Sequence, residues 1–541
     1  MATAAYAIFQ GGGAKGLAHV AGIAAAEKNE IEFIGVAGAS AGALIAALVA
    51  VGYSASELFD PNNPKANLLT RHGIDPLSLI GRPAWKKFAS TTAPAPTGWF
   101  KRKINAPVRW WRWLRPARQV TTSGGYFTTD IVCERLDYFL RIKLMEHHAN
   151  AGQTVNFTGP IRFKDIDPEV VEECCSLKVI VTDVTNGRPI IFGTSPEHGD
   201  IAVAEAVAAS ISIPGVFKPA KIPSYTAAPN ALFADGGLVS NLPIWVFREE
   251  KLHYERTEHP KGTVPILAFS LAPAAGEPPT ERPGSDAVRF KNRKEFFKYA
   301  MQVGNAAIFG GQTIVQGLIP DLLQIVIPVT LDTTEFDFTV ERVLDCYYGA
   351  YAAAAGFLGQ EFRIRPARIN AVLAEFDQTI RAEIARCFPN TPIQHVRISL
   401  IKPFGQMSFR VVYTFNMHDD ADDRLTFSRL VQGAPSAFDS RQPAFIDFGT
   451  TIAAGANANM TKYEFALLRR SLKSAICLPV FDQAQAWEEP QPTLRPQPLG
   501  VVSIDSDGDL SHIFQNQPLM RVFALMSLKF NEILRIEVGN E

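Results

Sequence analysis

Phe33-Ile34-Gly35-Val36-Ala37-Gly38-Ala39-Ser40-Ala41-Gly42-Ala43-Leu44-Ile45-Ala46-Ala47 makes three structural statements in one stretch. Residues 34–37 form a short apolar run of the kind that fills a buried strand, and 43–51 continue as a buried apolar helix. Between them Gly38-Ala39-Ser40-Ala41-Gly42 flanks a serine with glycine on both sides, so the backbone can fold closely there. A serine on such a turn exposes its hydroxyl, and the helix N-terminus behind it favours developing negative charge. The pentapeptide alone is a weak signal, since chance supplies roughly 0.2 such strings in a chain of this length. The uncharged stretch around it, 33–56, has the length to cross a bilayer. Its glycines instead punctuate it as strand, turn and helix.

Upstream, an apolar run at 4–9 leads into Gly11-Gly12-Gly13-Ala14-Lys15-Gly16. Glycines after a strand let backbone N–H groups point at a substrate oxygen, as an acyl-transfer enzyme requires for its tetrahedral oxyanion. The loop also fits Gly-x-Gly-x-x-Gly, a dinucleotide signature that wants an acidic residue about 20 positions on, at the end of the second strand. Glu32 stands at the beginning of that strand, and the strand runs into the serine turn, so the nucleotide reading gives way. Downstream, Asp235-Gly236-Gly237, with Asn241 and Pro243 after it, sets a carboxylate at a strand end where it can approach another loop and accept a serine proton.

These motifs, in this order and with Ala209-Ser210-Ile211-Ser212-Ile213-Pro214-Gly215-Val216-Phe217 ahead of Asp235, resemble those of the patatin-like phospholipases. Weaker echoes at 182–187 and 334–338 extend the resemblance over about 5–360. It implies a three-layer α/β/α domain with a mostly parallel sheet, and a Ser–Asp dyad that works without histidine. Ser40 is then the nucleophile, Asp235 the base, and the N–H groups of Gly11, Gly12 and Gly13 the oxyanion hole. Lys15, Gly16, Gly38, Gly42, Gly236 and Gly237 support the motifs. Lys15 stands where the family often has arginine, which leaves a bidentate role there without its fork of donors. No metal or cofactor is implied. The histidines agree with a dyad: His198, His253 and His259 lie in polar, loop-like surroundings without an acid partner, and His19 reads as a packing residue on the helix after the glycine loop.

At 541 residues, with 47% hydrophobic and 20% charged residues and a formal net charge of -1, the chain is long enough for two domains and has no global field to capture nucleic acid. The six cysteines, at 133, 174, 175, 346, 387 and 477, follow neither a metal-binding nor a disulfide-scaffold spacing and read as reduced core thiols. The N-terminus lacks a basic region before its first apolar run, which points to a cytoplasmic protein.

Strands are expected at 4–9, 33–37, 178–182, 190–193, 266–271 and 322–329, in a largely parallel sheet interleaved with helices. Residues 272–286 read as a loop, and 294–318 and 341–358 as helices. A helix at 366–387 leads into a segment of different texture, with strands at 397–401, 408–415, 445–448, 474–480 and 500–505, an acidic turn at 419–423, and a closing helix at 519–534. The expected division is a domain at 1–365, a linking helix at 366–388, and a smaller α+β domain at 389–541. The last resembles a GAF domain through Val396-Arg397-Ile398-Ser399-Leu400, Gly433–Phe438, Ser474–Val480 and Leu499–Ser506. The resemblance implies regulation by a small molecule, cyclic nucleotides first, or dimerisation through this domain or the helix before it. By analogy with nucleotide-activated defence effectors, it implies control of a membrane-degrading enzyme. The alternative is a sensor or scaffold whose esterase site is vestigial.

One segment stands apart from both domains. Between 76 and 129 there is no acidic residue, ten Lys or Arg, and five of the seven tryptophans. Cations beside indoles suit an anionic membrane surface, each basic group adding about 1 kcal/mol. Trp110, Trp111 and Trp113 are the candidate contacts for peripheral association with phospholipid; the other reading is a packed lid.

Overall fold

The computed structural model describes residues 3–65, 67–72, 127–214, 216–257, 264–273, 322–330, 339–390, 395–417, 420, 422, 425–448, 450 and 469–538. The expected helix at 294–318, the basic tryptophan-rich segment up to 126 with Trp110, Trp111 and Trp113, most of the 272–286 loop, the 334–338 echo and His259 lie outside them. The chain divides into two compact units, one of residues 1–251 and 264–359, the other of 252–263 and 360–541.

The first unit opens with β1 (Thr3–Phe9), a 3-10 turn at Gly13–Gly16, α1 (Leu17–Lys28), β2 (Ile31–Ala39) and α2 (Ala41–Ala50). It continues with α3 (Asp130–Asn150), β3 (Ser176–Asp183), β4 (Arg188–Gly193), α4 (Val203–Ser210), the two-residue β5 (Phe233–Ala234), β6 (Ile266–Pro273), β7 (Leu322–Val329) and α5 (Val340–Gly359). The sheet order is β4-β3-β2-β1-β6-β7, with β5 also on β3. From β3 to β7 the neighbours run parallel. Side chains alternate along β1, so Phe9 and Tyr6 serve opposite faces. Phe9 stacks on Phe269 and meets His19 of α1, while Tyr6 stacks on Phe247.

Of the expected strands β4 departs from the parallel order, running antiparallel to β3, as does the unexpected two-residue β5. The reason lies in the connection. β3 ends at Asp183 and β4 begins at Arg188, and the residues between, with Gly187 at φ 66°, form a tight turn. A parallel return needs a crossover of a dozen residues or more.

The second unit contains α6 (Arg365–Cys387), β8 (Val396–Phe404), β9 (Ser408–Phe415), β10 (Thr426–Ser428), α7 (Ala434–Ser440), β11 (Ala444–Asp447), β12 (Ser474–Val480), β13 (Gly500–Ser506), α8 (Gln517–Ser527) and α9 (Asn531–Val538). Its sheet, ordered β10-β9-β8-β13-β12-β11, is antiparallel throughout. Ile369, Leu373, Phe376, Ile380 and Ile384, a stripe at helical spacing on α6, pack with Ile398, Leu400, Val502, Ile504, Phe523 and Phe530 in one core. The helix before the sheet is thus an element of this unit.

On the other face Ile401, Val501 and Cys477 meet Phe438 of α7. The same face carries a buried ion cluster. Arg397 reaches Asp420, Asp422 and Asp505 at 2.8, 3.0 and 3.0 Å. The single closing helix expected at 519–534 is instead two, parted by a 3-10 turn at Leu528–Phe530. Ser527 marks the break, its hydroxyl donating back to Ala524 O at 2.7 Å, a bond that bends helices.

Candidate active site

β3 is the ruler on which the site is assembled. One side of it pairs with β4; the other pairs first with β2, up to Ala39 opposite Ile180, and then with β5, where Ala234 lies opposite Thr182. β2 runs parallel and β5 antiparallel, so the two strands meet end to end. The next residue of each, Ser40 and Asp235, arrives at the row of Val181. Two side chains 195 positions apart in sequence thus converge by register alone.

Ser40 holds φ 54° and ψ -128°, a positive φ that a side chain adopts only when its surroundings enforce it, and it caps α2. The enforcement is visible. A Cβ on Gly42 would sit 2.1 Å from the Phe9 carbonyl oxygen, and one on Gly38 would sit 2.2 Å from the carbonyl carbon of Gly42, so only glycine lets the turn close on β1. The Ser40 N–H donates to Ser210 Oγ at 2.9 Å, and that hydroxyl donates to Ile180 O at 2.6 Å. Ser210, fully buried at the end of α4, replaces the ladder bond that β2 loses where it turns away.

Asp235 is 6% exposed. Its N–H donates to Ser212 O at 3.0 Å and its carbonyl accepts from Thr182 Oγ1 at 2.8 Å, which fixes the backbone. Oδ1 accepts the Gly237 N–H at 2.7 Å; Oδ2 is buried and no hydrogen bond reaches it. Burial pushes the carboxyl up to about 6, against the lowering effect of the Ser40 hydroxyl and the Gly237 N–H. The Ser40 hydroxyl is thus close enough to favour the charged carboxylate, while Oδ2 is left without a hydrogen bond of standard geometry.

The glycine loop leaves two N–H groups unspent rather than three. The Gly11 N–H is spent on Asn241 O at 3.0 Å; among the described residues no acceptor takes the Gly12 or Gly13 N–H. Lys15 lies within the 3-10 turn and its amide closes on Gly12 O at 3.2 Å. His19 is fully buried with Nε2 on Gln10 O at 2.8 Å, and burial lowers its pKa to about 4, so it is a neutral ring packed beneath the loop. His198 rests against Phe192, and His253 is exposed. Sequence reasoning quoted the motif that contains Ser210 and gave the residue no part. No sequence signal short of the strand pairing shows that its hydroxyl meets Ser40. Among the described residues no cluster of His, Cys, Asp or Glu is arranged to hold a metal ion, and no helix is long and apolar enough to cross a membrane.

Among solved structures the chain is similar to VipD from Legionella pneumophila, 16% identical, covering 70% of this chain and 76% of that one with a TM-score of 0.31. It is also similar to the type III effector ExoU of Pseudomonas aeruginosa, 15% identical, covering 72% and 67% with a TM-score of 0.30. Overlaps this loose say nothing about chemistry. A curated relative, the uncharacterised protein YqhO of Bacillus subtilis, is 28% identical over 282 residues, half of this chain and 72% of that protein. The model of the patatin-like phospholipase family matches residues 7–248, the span that holds Ser40, Ser210, Asp235, Asn241 and the glycine loop. Over those residues the chain carries a patatin-like phospholipase domain.

Proposed function

We propose that the chain is a phospholipase that cleaves acyl esters of membrane phospholipids through a Ser40–Asp235 dyad and an acyl-enzyme. The observation that carries this reading is the convergence of a strained serine and a buried, half-satisfied carboxylate on the row of Val181. As Ser40 Oγ attacks the acyl carbonyl, Asp235 Oδ2 takes its proton. The oxyanion that forms is held by the N–H groups of Gly12 and Gly13 and by the N-terminus of α2. Collapse expels the lysolipid alcohol, which leaves with the proton from Asp235. Water, deprotonated by the same carboxylate, then attacks the acyl carbonyl and releases fatty acid and Ser40.

The second unit serves in this reading as a GAF-like regulatory domain that takes a small anionic ligand such as a cyclic nucleotide. A ligand there biases the esterase only through unequal affinity for two states of the protein. The composition of 76–129 supports docking on anionic lipid through Trp110, Trp111 and Trp113, with the protein cytoplasmic until it reaches a membrane.

The test is lipidomics of phosphatidylglycerol-containing vesicles incubated with wild type, Ser40→Ala and Asp235→Asn, with cyclic nucleotides added in parallel. Wild type is expected to release free fatty acid and lysolipid, and each variant to fall by about three orders of magnitude or more. Undiminished release by either variant removes the dyad.

A further inference from the structure

We infer that Asn241 is a positioning residue that aims the oxyanion donors of the glycine loop by gripping Gly11 from both sides. This rests on the phospholipase reading and adds to it a residue with no assigned part. The Gly11 N–H donates to Asn241 O at 3.0 Å, and Asn241 Nδ2 donates to Gly11 O at 3.2 Å. The two bonds hold two different peptide planes. The first fixes the plane between Gln10 and Gly11, the second the plane between Gly11 and Gly12.

The second plane is the one that matters for catalysis. A trans peptide is rigid, with its C=O and N–H directed oppositely. An amide that holds the Gly11 carbonyl on one side therefore sends the Gly12 N–H to the other. Glycine has no side chain to restrict this plane, so without the grip the donor would swing. The loop is also next to the nucleophile: a Cβ on Gly11 would stand 3.0 Å from Ser40 Cβ and 2.4 Å from Asn241 Oδ1.

Asn241 reaches the base as well. A Cβ on Gly237 would lie 2.9 Å from Asn241 Oδ1, and Gly237 is the residue whose N–H holds Asp235 Oδ1. The carboxamide is thus wedged between the oxyanion loop and the turn of the base. The chemistry demands this residue type: aspartate has the shape but no donor for Gly11 O, and serine is too short to reach it.

The experiment compares wild type, Asn241→Ala and Asn241→Asp at a pH well above the Asp235 pKa, on a monomeric short-chain phospholipid. Two further ligands separate aim from packing. A trifluoromethyl ketone lipid analogue adds to Ser40 and forms an oxyanion; an ether-linked phospholipid binds without reacting. Both variants are expected to lose about 10- to 100-fold in kcat and to weaken the ketone by a similar factor, with KM and ether-lipid affinity unchanged within about twofold. Affinities are read on the folded fraction, so a variant of lowered stability still answers. A kcat within about threefold of wild type in Asn241→Asp overturns the inference, because the isostere then suffices as packing. Equal weakening of ketone and ether lipid in both variants overturns it too. A wild type that cleaves no ester removes the phospholipase reading and this inference together, whereas an active wild type with unaffected variants removes this inference alone.

Discussion

Asp235 shows what burying a carboxyl costs a single residue. Its folded pKa of about 6 stands above the value near 3.8 of a free carboxyl, because burial penalises the charge more than Ser40 and Gly237 relieve it. A raised carboxyl favours the folded state fully below the unfolded pKa and loses that contribution as pH rises through about 6. Asp235→Asn is therefore expected to melt above wild type at pH 7–8 by a few degrees, with the gap closing as pH falls toward about 4; a constant gap across that range refutes the assignment. On the dyad reading the same ionisation is expected to make kcat/KM of the wild type rise with pH through about 6 and then level; a flat profile across that range refutes the base. At this scale the sequence singled out Ser40 and Asp235 because each sits in a motif with a mechanical reason for its glycines. It also assigned Gly11 an oxyanion N–H that the fold spends elsewhere, and it passed over Ser210, since a hydroxyl in an alanine-rich helix looks the same whether or not a distant backbone donates to it.

The elements were legible wherever period and length agreed. β7 and α5 begin and end within a residue of their expected spans, since an apolar run of strand length and an alanine-rich amphipathic run leave little choice. Direction was not legible in the same way. β4 was visible as a strand, but its antiparallel course follows from the shortness of the turn before it. The close contact of α2 with β1 invites a test of its own. Gly42→Ala places a methyl 2.1 Å from the Phe9 carbonyl oxygen, and both partners are backbone, so helix and strand must part. A loss of about 3 kcal/mol or more is expected in chemical denaturation, with the serine turn disordered; a denaturation midpoint like that of wild type would show that the turn tolerates a wider gap.

The change of texture after the helix at 366–387 revealed a second unit, but its most unusual interior was hidden. Asp420 and Asp422 read as part of an acidic turn, and Arg397 as one residue of a strand. Only the pairing of β8 with β13, which puts Arg397 opposite Asp505, brings the cluster together at a residue 2% exposed. Removing the cation leaves Asp422 and Asp505 buried without it, so Arg397→Ala is expected to destabilise this unit by about 3–5 kcal/mol, read as an early transition in calorimetry. An unshifted transition means that water already serves the carboxylates.

The site of the first unit is equally a product of distance along the chain, and this has a consequence in time. Ser40 is translated about 200 residues before Asn241. At roughly 5–20 residues per second that gap lasts on the order of 10–40 s. Over that time the growing chain lacks first Ser210 to fix the serine's backbone, then Asp235, and to the end a held Gly11. Any chemistry that needs all of these together begins only when the ribosome has moved past Asn241.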